Sequence, residues 1–191
     1  MNKRHLETLS SPRWAQLLER DLLPWVDSVA DLGDDVLEIG PGPGLTTDLL
    51  RRLVPRVTAV EVDDDLARQL AERLAGSNVT VVHGSADQTD FADDRFTAAA
   101  SFGVLHHAAS AQQQDDIFRE AFRVLRPGAA LVASDGYDNE RTREAHVDDQ
   151  FIPLDPERLP QRLAAAGFTD VTISRGEYDF RFCARKPGPA R

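Results

Sequence analysis

Val36-Leu37-Glu38-Ile39-Gly40-Pro41-Gly42-Pro43-Gly44-Leu45-Thr46-Thr47 decides how this chain is read. An apolar run of strand length enters three closely spaced glycines, and a helical pattern follows. Glycines at such a junction let the backbone turn sharply and approach a ligand closely. A second signal lies about twenty residues beyond Gly40, where Glu61 stands next to last in the β-branched run Val57–Val62. An acid at that distance hydrogen-bonds a ribose diol in nucleoside-binding α/β folds. The glycine spacing then separates ligands. A dinucleotide fingerprint places its third glycine at residue 45, which is Leu45 here. A pyrophosphate needs free N–H groups at the helix start, and Pro41 and Pro43 have none. The loop suits a nucleoside without phosphates better than NAD.

Outward from this loop, strands and helices alternate. Leu66, Leu70 and Leu74 recur every four residues after an acidic start at Asp63–Asp65, and Gly76 closes that helix. Val79–Val82 is a strand. A helix over 111–126 carries Ile117, Phe118, Ala121, Phe122 and Leu125 on one face and stops at Pro127-Gly128, before a buried strand over Ala129–Ala133. Asp155-Pro156 can start a further helix that Gly167 ends, with Pro160 either delaying the true start or bending the first turns. The last two strands, near 170–175 and 178–185, are separated by Gly176 with no room for a crossover, so they form an antiparallel hairpin. The alternation predicts a mostly parallel sheet covered on both sides. Residues 1–34 precede the first strand and read as helices carrying Trp14, Leu17, Leu18, Leu22, Leu23 and Trp25.

Composition narrows the classes. The 191 residues suit one domain with a full core, and 41 % hydrophobic residues exclude wholesale disorder. No apolar run reaches the roughly 18 residues of a membrane span, and the N-terminus has no signal-peptide pattern. The expected compartment is therefore cytoplasmic. Cys183 is the one cysteine, so a disulfide framework or a cysteine-rich metal site is out. Lys and Arg number 22 against 32 Asp and Glu, a formal net charge of −10 with no basic cluster. Such a chain is repelled by phosphate backbones, so neither nucleic acid nor membrane is an expected partner.

The ordered motifs resemble the class I S-adenosylmethionine-dependent methyltransferases. Glu38 to Gly44 is similar to that family's acidic-x-Gly-x-Gly-x-Gly loop, and Glu61, followed by Val62, to its ribose-binding acid. His83-Gly84-Ser85-Ala86-Asp87 falls at its adenine site. Ser85 stands where the family usually has Asp, and Asp87 can substitute. Phe96 to His107, Ser101 included, resembles its fourth strand and following loop. Val124 to Gly128 and Ala166-Gly167-Phe168 resemble its later signatures. The resemblance implies a Rossmann-like α/β fold: a mostly parallel seven-stranded sheet, a C-terminal antiparallel hairpin and helices on both faces. It implies S-adenosyl-L-methionine as cofactor, with Glu38, Gly40, Gly42, Gly44, Glu61, Val62, Ser85, Ala86, Asp87 and Ser101 at its site. Residues 35–191 are then the cofactor domain. Residues 1–34 are expected to be a helical lid over the acceptor, dispensable for cofactor binding.

The family's reaction displaces a methyl group in line from a sulfonium, so alignment is the main demand and a base is an aid. His106 and His107 follow the fourth strand, at the sheet edge where ligands bind, and imidazole accepts protons near neutral pH. They are the candidate bases, with helix capping or cofactor packing as the alternative. Asp135 and Tyr137 follow the fifth strand and are candidates to orient a substrate, as are His146 and Trp14. Ser101-Phe102-Gly103-Val104 lacks the proline pair that methylation of amide or base nitrogens often uses in this family. Residues 97–107 offer no carboxylate for Mg²⁺, so no metal is expected. The reading is metal-independent methyl transfer to a small-molecule acceptor. A non-catalytic adenosylmethionine-binding scaffold and an NAD-type oxidoreductase are the alternatives.

Overall fold

A computed structural model describes residues 11–188. The first ten residues of the expected lid lie outside them. Seven strands form one sheet: β1 Asp35–Ile39, β2 Arg56–Glu61, β3 Val79–His83, β4 Phe96–Phe102, β5 Leu125–Gly136, β6 Thr169–Arg175 and β7 Asp179–Arg185. Their order is β3-β2-β1-β4-β5-β7-β6. The first five run parallel, and β7 lies antiparallel to both β5 and β6. The strand order reverses between β1 and β4, which opens a crevice at their carboxyl ends. Both the seven-stranded sheet and its C-terminal hairpin agree with the sequence reading.

The helices cover both faces. In chain order they are α1 Pro12–Leu17, α2 Leu23–Val29, α3 Leu45–Leu53, α4 Asp64–Arg73, α5 Ala111–Val124, α6 Glu140–Ala145 and α7 Leu159–Ala165. A single π-turn, Leu18–Leu22, joins α1 to α2. Side chains alternate along each strand, so β1 sends Leu37 and Ile39 to one core and Val36 to the other. The first core packs α5, α7, Phe180 and Phe182; the second packs α3 and the leader. Among the described residues no helix is long and apolar enough to cross a membrane.

Three expectations change. Pro127-Gly128 does not separate α5 from the next strand, because β5 already begins at Leu125. Leu125 pairs with Phe96, the register then shifts, and Gly128 N–H donates to Lys186 O at 2.8 Å, so the proline sits in an irregular strand entry where its missing donor costs little. Pro160 falls in the first turn of α7, so it delays the start rather than bending the helix. The leader is not lid throughout. Leu18, Leu22 and Val26 recur at helical spacing and are buried against Val36, Leu50, Ala98 and Val132, which makes residues 18–32 a wall of the second core. Arg181 donates to Asp21 O at 2.6 Å and Arg185 to Val29 O at 2.8 Å, fastening that wall to β7.

Candidate active site

The glycine loop crosses the carboxyl end of β1 with Gly40, Gly42 and Gly44 all in the left-handed region. At Gly40 the need is also steric: a Cβ there would lie 2.3 Å from Val104 Cγ1. The loop's N–H groups are spent inside the protein. Gly40 donates to Val60 O, Gly42 to Glu61 Oε2 and Gly44 to Pro41 O, each at 2.9 Å. With Pro41 and Pro43 lacking donors, none of the five residues has an N–H left for a phosphate.

Beneath the loop, Glu38 is buried on β1 and accepts from the Thr46 hydroxyl through Oε1. Burial pushes its carboxyl up to about 7. Glu38 Oε2 and Ser101 Oγ, on adjacent strands, are buried with no hydrogen-bond partner among the described residues. Such atoms cost free energy until a ligand satisfies them. Glu61 is buried at the end of β2 and accepts from Gly42 N–H and, at 3.0 Å, from Asp63 N–H. A carboxylate offers about four acceptor positions, so two remain for a diol. Val62 is 68 % exposed just beyond it. In the segment after β3, hydrogen bonds from Ser85 and Gln113 hold Asp87 below the usual carboxylate range, the latter from Nε2 at 2.9 Å. Asp87 therefore carries the negative charge of that segment, with Ser85 turned to it, and Ala86 packs on the core. This donor and acceptor set fits an adenosylmethionine-type ligand.

The histidines gather at the same sheet edge. His106 lies in a 3₁₀ turn, Leu105–His107, two residues past the Val104 side chain that touches Gly40. Its Nδ1 lies 2.5 Å from Asp135 Oδ1, and its backbone N–H donates to Asp135 Oδ2 at 3.2 Å. Asp135 is 1 % exposed and also accepts from Gly136 N–H. Its carboxylate thus faces His106. His146 comes from the residue that ends α6, and its Nε2 lies 3.0 Å from His106 Nε2. The stretch 144–150 reads as a solvated helix face, yet His146 is only 6 % exposed. Burial holds its imidazole below its ordinary pKa, toward the neutral form. His107 Nδ1 lies 3.2 Å from Gln150 O.

The other expected substrate residues do not join this cluster. Tyr137 packs on Phe180, ring centroids 5.5 Å apart, against the first core, and Trp14 packs partly buried against the second. Sequence reasoning passed over Thr46, Val104 and Gln113, which hold Glu38, Gly40 and Asp87. Thr46 carried a signal, since its position in the first turn after the loop brings its hydroxyl back toward β1. It also passed over Phe151, which stacks on His146 at 4.7 Å.

Residues 37–133, about half of the chain, match the family described as methyltransferase domain. Over 60 residues the chain is 48 % identical to the ribosomal RNA small subunit methyltransferase A of Deinococcus radiodurans, covering 31 % of this chain and 20 % of that protein. Over 141 residues it is 29 % identical to a protein of Mycolicibacterium smegmatis named as a probable S-adenosylmethionine-dependent methyltransferase, covering 71 % and 52 %. The chain thus spans about half or less of the length of these curated relatives. Its fold superposes on a S-adenosylmethionine-dependent methyltransferase from Aquifex aeolicus with a TM-score of 0.74 at 20 % identity, covering 97 % of this chain and 99 % of that one.

Proposed function

Since the chain belongs to the class I S-adenosylmethionine-dependent methyltransferases, we propose that it moves the methyl group of that cofactor to a small-molecule acceptor. The observation that carries the ligand class is the hydrogen-bond account of the loop. Its N–H groups are used internally, so the crevice favours a nucleoside without phosphates over a dinucleotide. When bound, the cofactor supplies a methyl group already activated on a sulfonium. Glu61 takes the ribose hydroxyls in charge-assisted hydrogen bonds. Glu38 and Ser101 present their buried oxygens beneath the amino-acid end, and Asp87 with Ser85 receives the adenine edge. His106, oriented by Asp135, stands at the acceptor end beside His107 and His146. The acceptor atom forms its bond to carbon as the sulfur–carbon bond breaks, and its proton leaves at the end of the site that the histidine cluster borders.

Two observations favour a small acceptor: the net charge of −10, and Ser101-Phe102-Gly103-Val104 after β4 with no proline pair. The ribosomal RNA relatives favour an RNA acceptor, but the match to the Deinococcus radiodurans protein covers only 31 % of this chain and 20 % of that protein. Calorimetry tests the cofactor. S-adenosylmethionine is expected to bind with one site per chain and NADH not at all. Glu61→Ala is expected to lower adenosylmethionine affinity about 10–150-fold, the equivalent of roughly 1.5–3 kcal/mol for hydrogen bonds to a charged group. Unchanged affinity in a folded Glu61→Ala protein defeats this assignment.

A further inference from the structure

We propose that His106, His107 and His146 form a three-imidazole site for a divalent metal ion of the zinc class. Each offers one ring nitrogen, and the three atoms lie within 4.8 Å of one another. Nitrogens bound at about 2.0–2.1 Å around one tetrahedral ion stand about 3.3 Å apart, close to the 3.0 Å between His106 Nε2 and His146 Nε2.

The surroundings orient the rings for this task. All three Nδ1 atoms face oxygen acceptors: Asp135 Oδ1 at 2.5 Å, Thr142 O at 2.7 Å and Gln150 O at 3.2 Å. Those oxygens fix the tautomer with the hydrogen on Nδ1 and the lone pair on Nε2. A carboxylate or carbonyl behind each ligating imidazole is the usual outer support of a histidine metal site. The Nε2 atoms of His106 and His146 face each other at 3.0 Å, a separation that one ion held by both would span.

The frame is held independently of any ion. Ile152 N–H donates to His106 O at 2.7 Å, and Gln114 Nε2 bridges Leu105 O and Ile152 O at 3.1 and 2.7 Å. Phe151 covers His106 and His146 with its ring and keeps the surroundings apolar. The expectation of no metal rested on carboxylates near β4. The tertiary fold instead brings an imidazole from forty residues downstream to the pair after that strand.

Three protein ligands leave a fourth position open, the arrangement of catalytic rather than structural zinc. A consequence that rests on the methyltransferase reading is the acceptor class: a thiol or hydroxyl. Coordination lowers its pKa, its proton leaves to solvent, and the resulting anion displaces the thioether.

The test uses the full chain, stripped with a chelator and titrated with ZnCl₂ by calorimetry and with CoCl₂ by visible absorption. One ion per chain and a four-coordinate Co²⁺ spectrum are expected. His146→Ala is expected to weaken Zn²⁺ binding at least 100-fold and Asp135→Asn about 10–100-fold, whereas His83→Ala, an exposed histidine on β3, leaves it unchanged. Wild-type protein that takes up no Zn²⁺ or Co²⁺ at micromolar concentration overturns the site, whether or not a variant folds. So does full affinity in His146→Ala. Adenosylmethionine titration of the same stripped sample separates the two readings: cofactor binding without metal binding removes only the metal site, and the reverse removes only the cofactor assignment.

Discussion

Glu38 sits where burial works against its charge. Its carboxyl is raised from an ordinary 4.5 to about 7 by desolvation, against help from the Thr46 hydroxyl. An acid raised in the folded state holds its proton longer there than in the unfolded chain. The penalty is therefore absent below about pH 4.5 and fully present above about pH 7, and stability of the unliganded protein falls across that window. The full penalty is roughly 3 kcal/mol. Glu38→Gln keeps the shape and removes the charge. Urea unfolding at pH 8 is expected to show the variant more stable by up to about 3 kcal/mol, with the gap closing toward pH 4.5. The same variant is expected to bind adenosylmethionine more weakly, since a cationic ligand favours the ionised carboxylate. Opposite effects on stability and binding are the mark of a residue kept for function. Equal stability at pH 8 contradicts this account of Glu38.

The leader is the element whose role the structure changes. β7 runs antiparallel to β5, with Arg181 opposite Ser134 and Arg185 opposite Ala130. Arg181 holds Asp21 and Arg185 holds Val29, so the leader descends from the carboxyl edge of the sheet toward the amino edge. Its upper turn, α1, contains no buried residue, and its lower part is core. Leu22→Ala is expected to cost about 2–5 kcal/mol in urea unfolding, the range for a leucine truncated in a packed core. Deleting residues 1–25 removes Leu18 and Leu22 and is expected to unfold the domain. A folded, cofactor-binding chain starting at residue 26 returns the leader to a dispensable lid.

At the scale of the whole molecule, charge separates the small-molecule reading from the RNA one. A net charge of −10 opposes approach to a polyanion, and RNA binding gains most of its nonspecific strength from phosphate contacts. In a filter-binding assay against bulk ribosomal RNA, no retention is expected at physiological salt. Retention that falls steeply with added salt reverses the choice of acceptor.

The one-dimensional pattern was sufficient for the sheet and for placing Glu38 and Glu61 beside the glycine loop. Strand runs, helix periods and the Glu38–Gly44 loop are local signals, each set by a few neighbouring residues and their backbone preferences. Glu61 was legible because a β-strand, a helix and a second strand have nearly constant length, which places an acid beside the loop at a countable distance. His146 was legible as a candidate, but its contact with His106 was not. Its own stretch of acidic and polar residues reads as solvent-facing, and nothing local states that α6 folds back over the turn after β4. Only the tertiary structure decided that contact, through the hydrogen bonds of Ile152 to His106 and to Gln114, which join residues about forty apart. It likewise decided that residues 18–32 are core, because an amphipathic helix shows which face it buries and not what it buries it against.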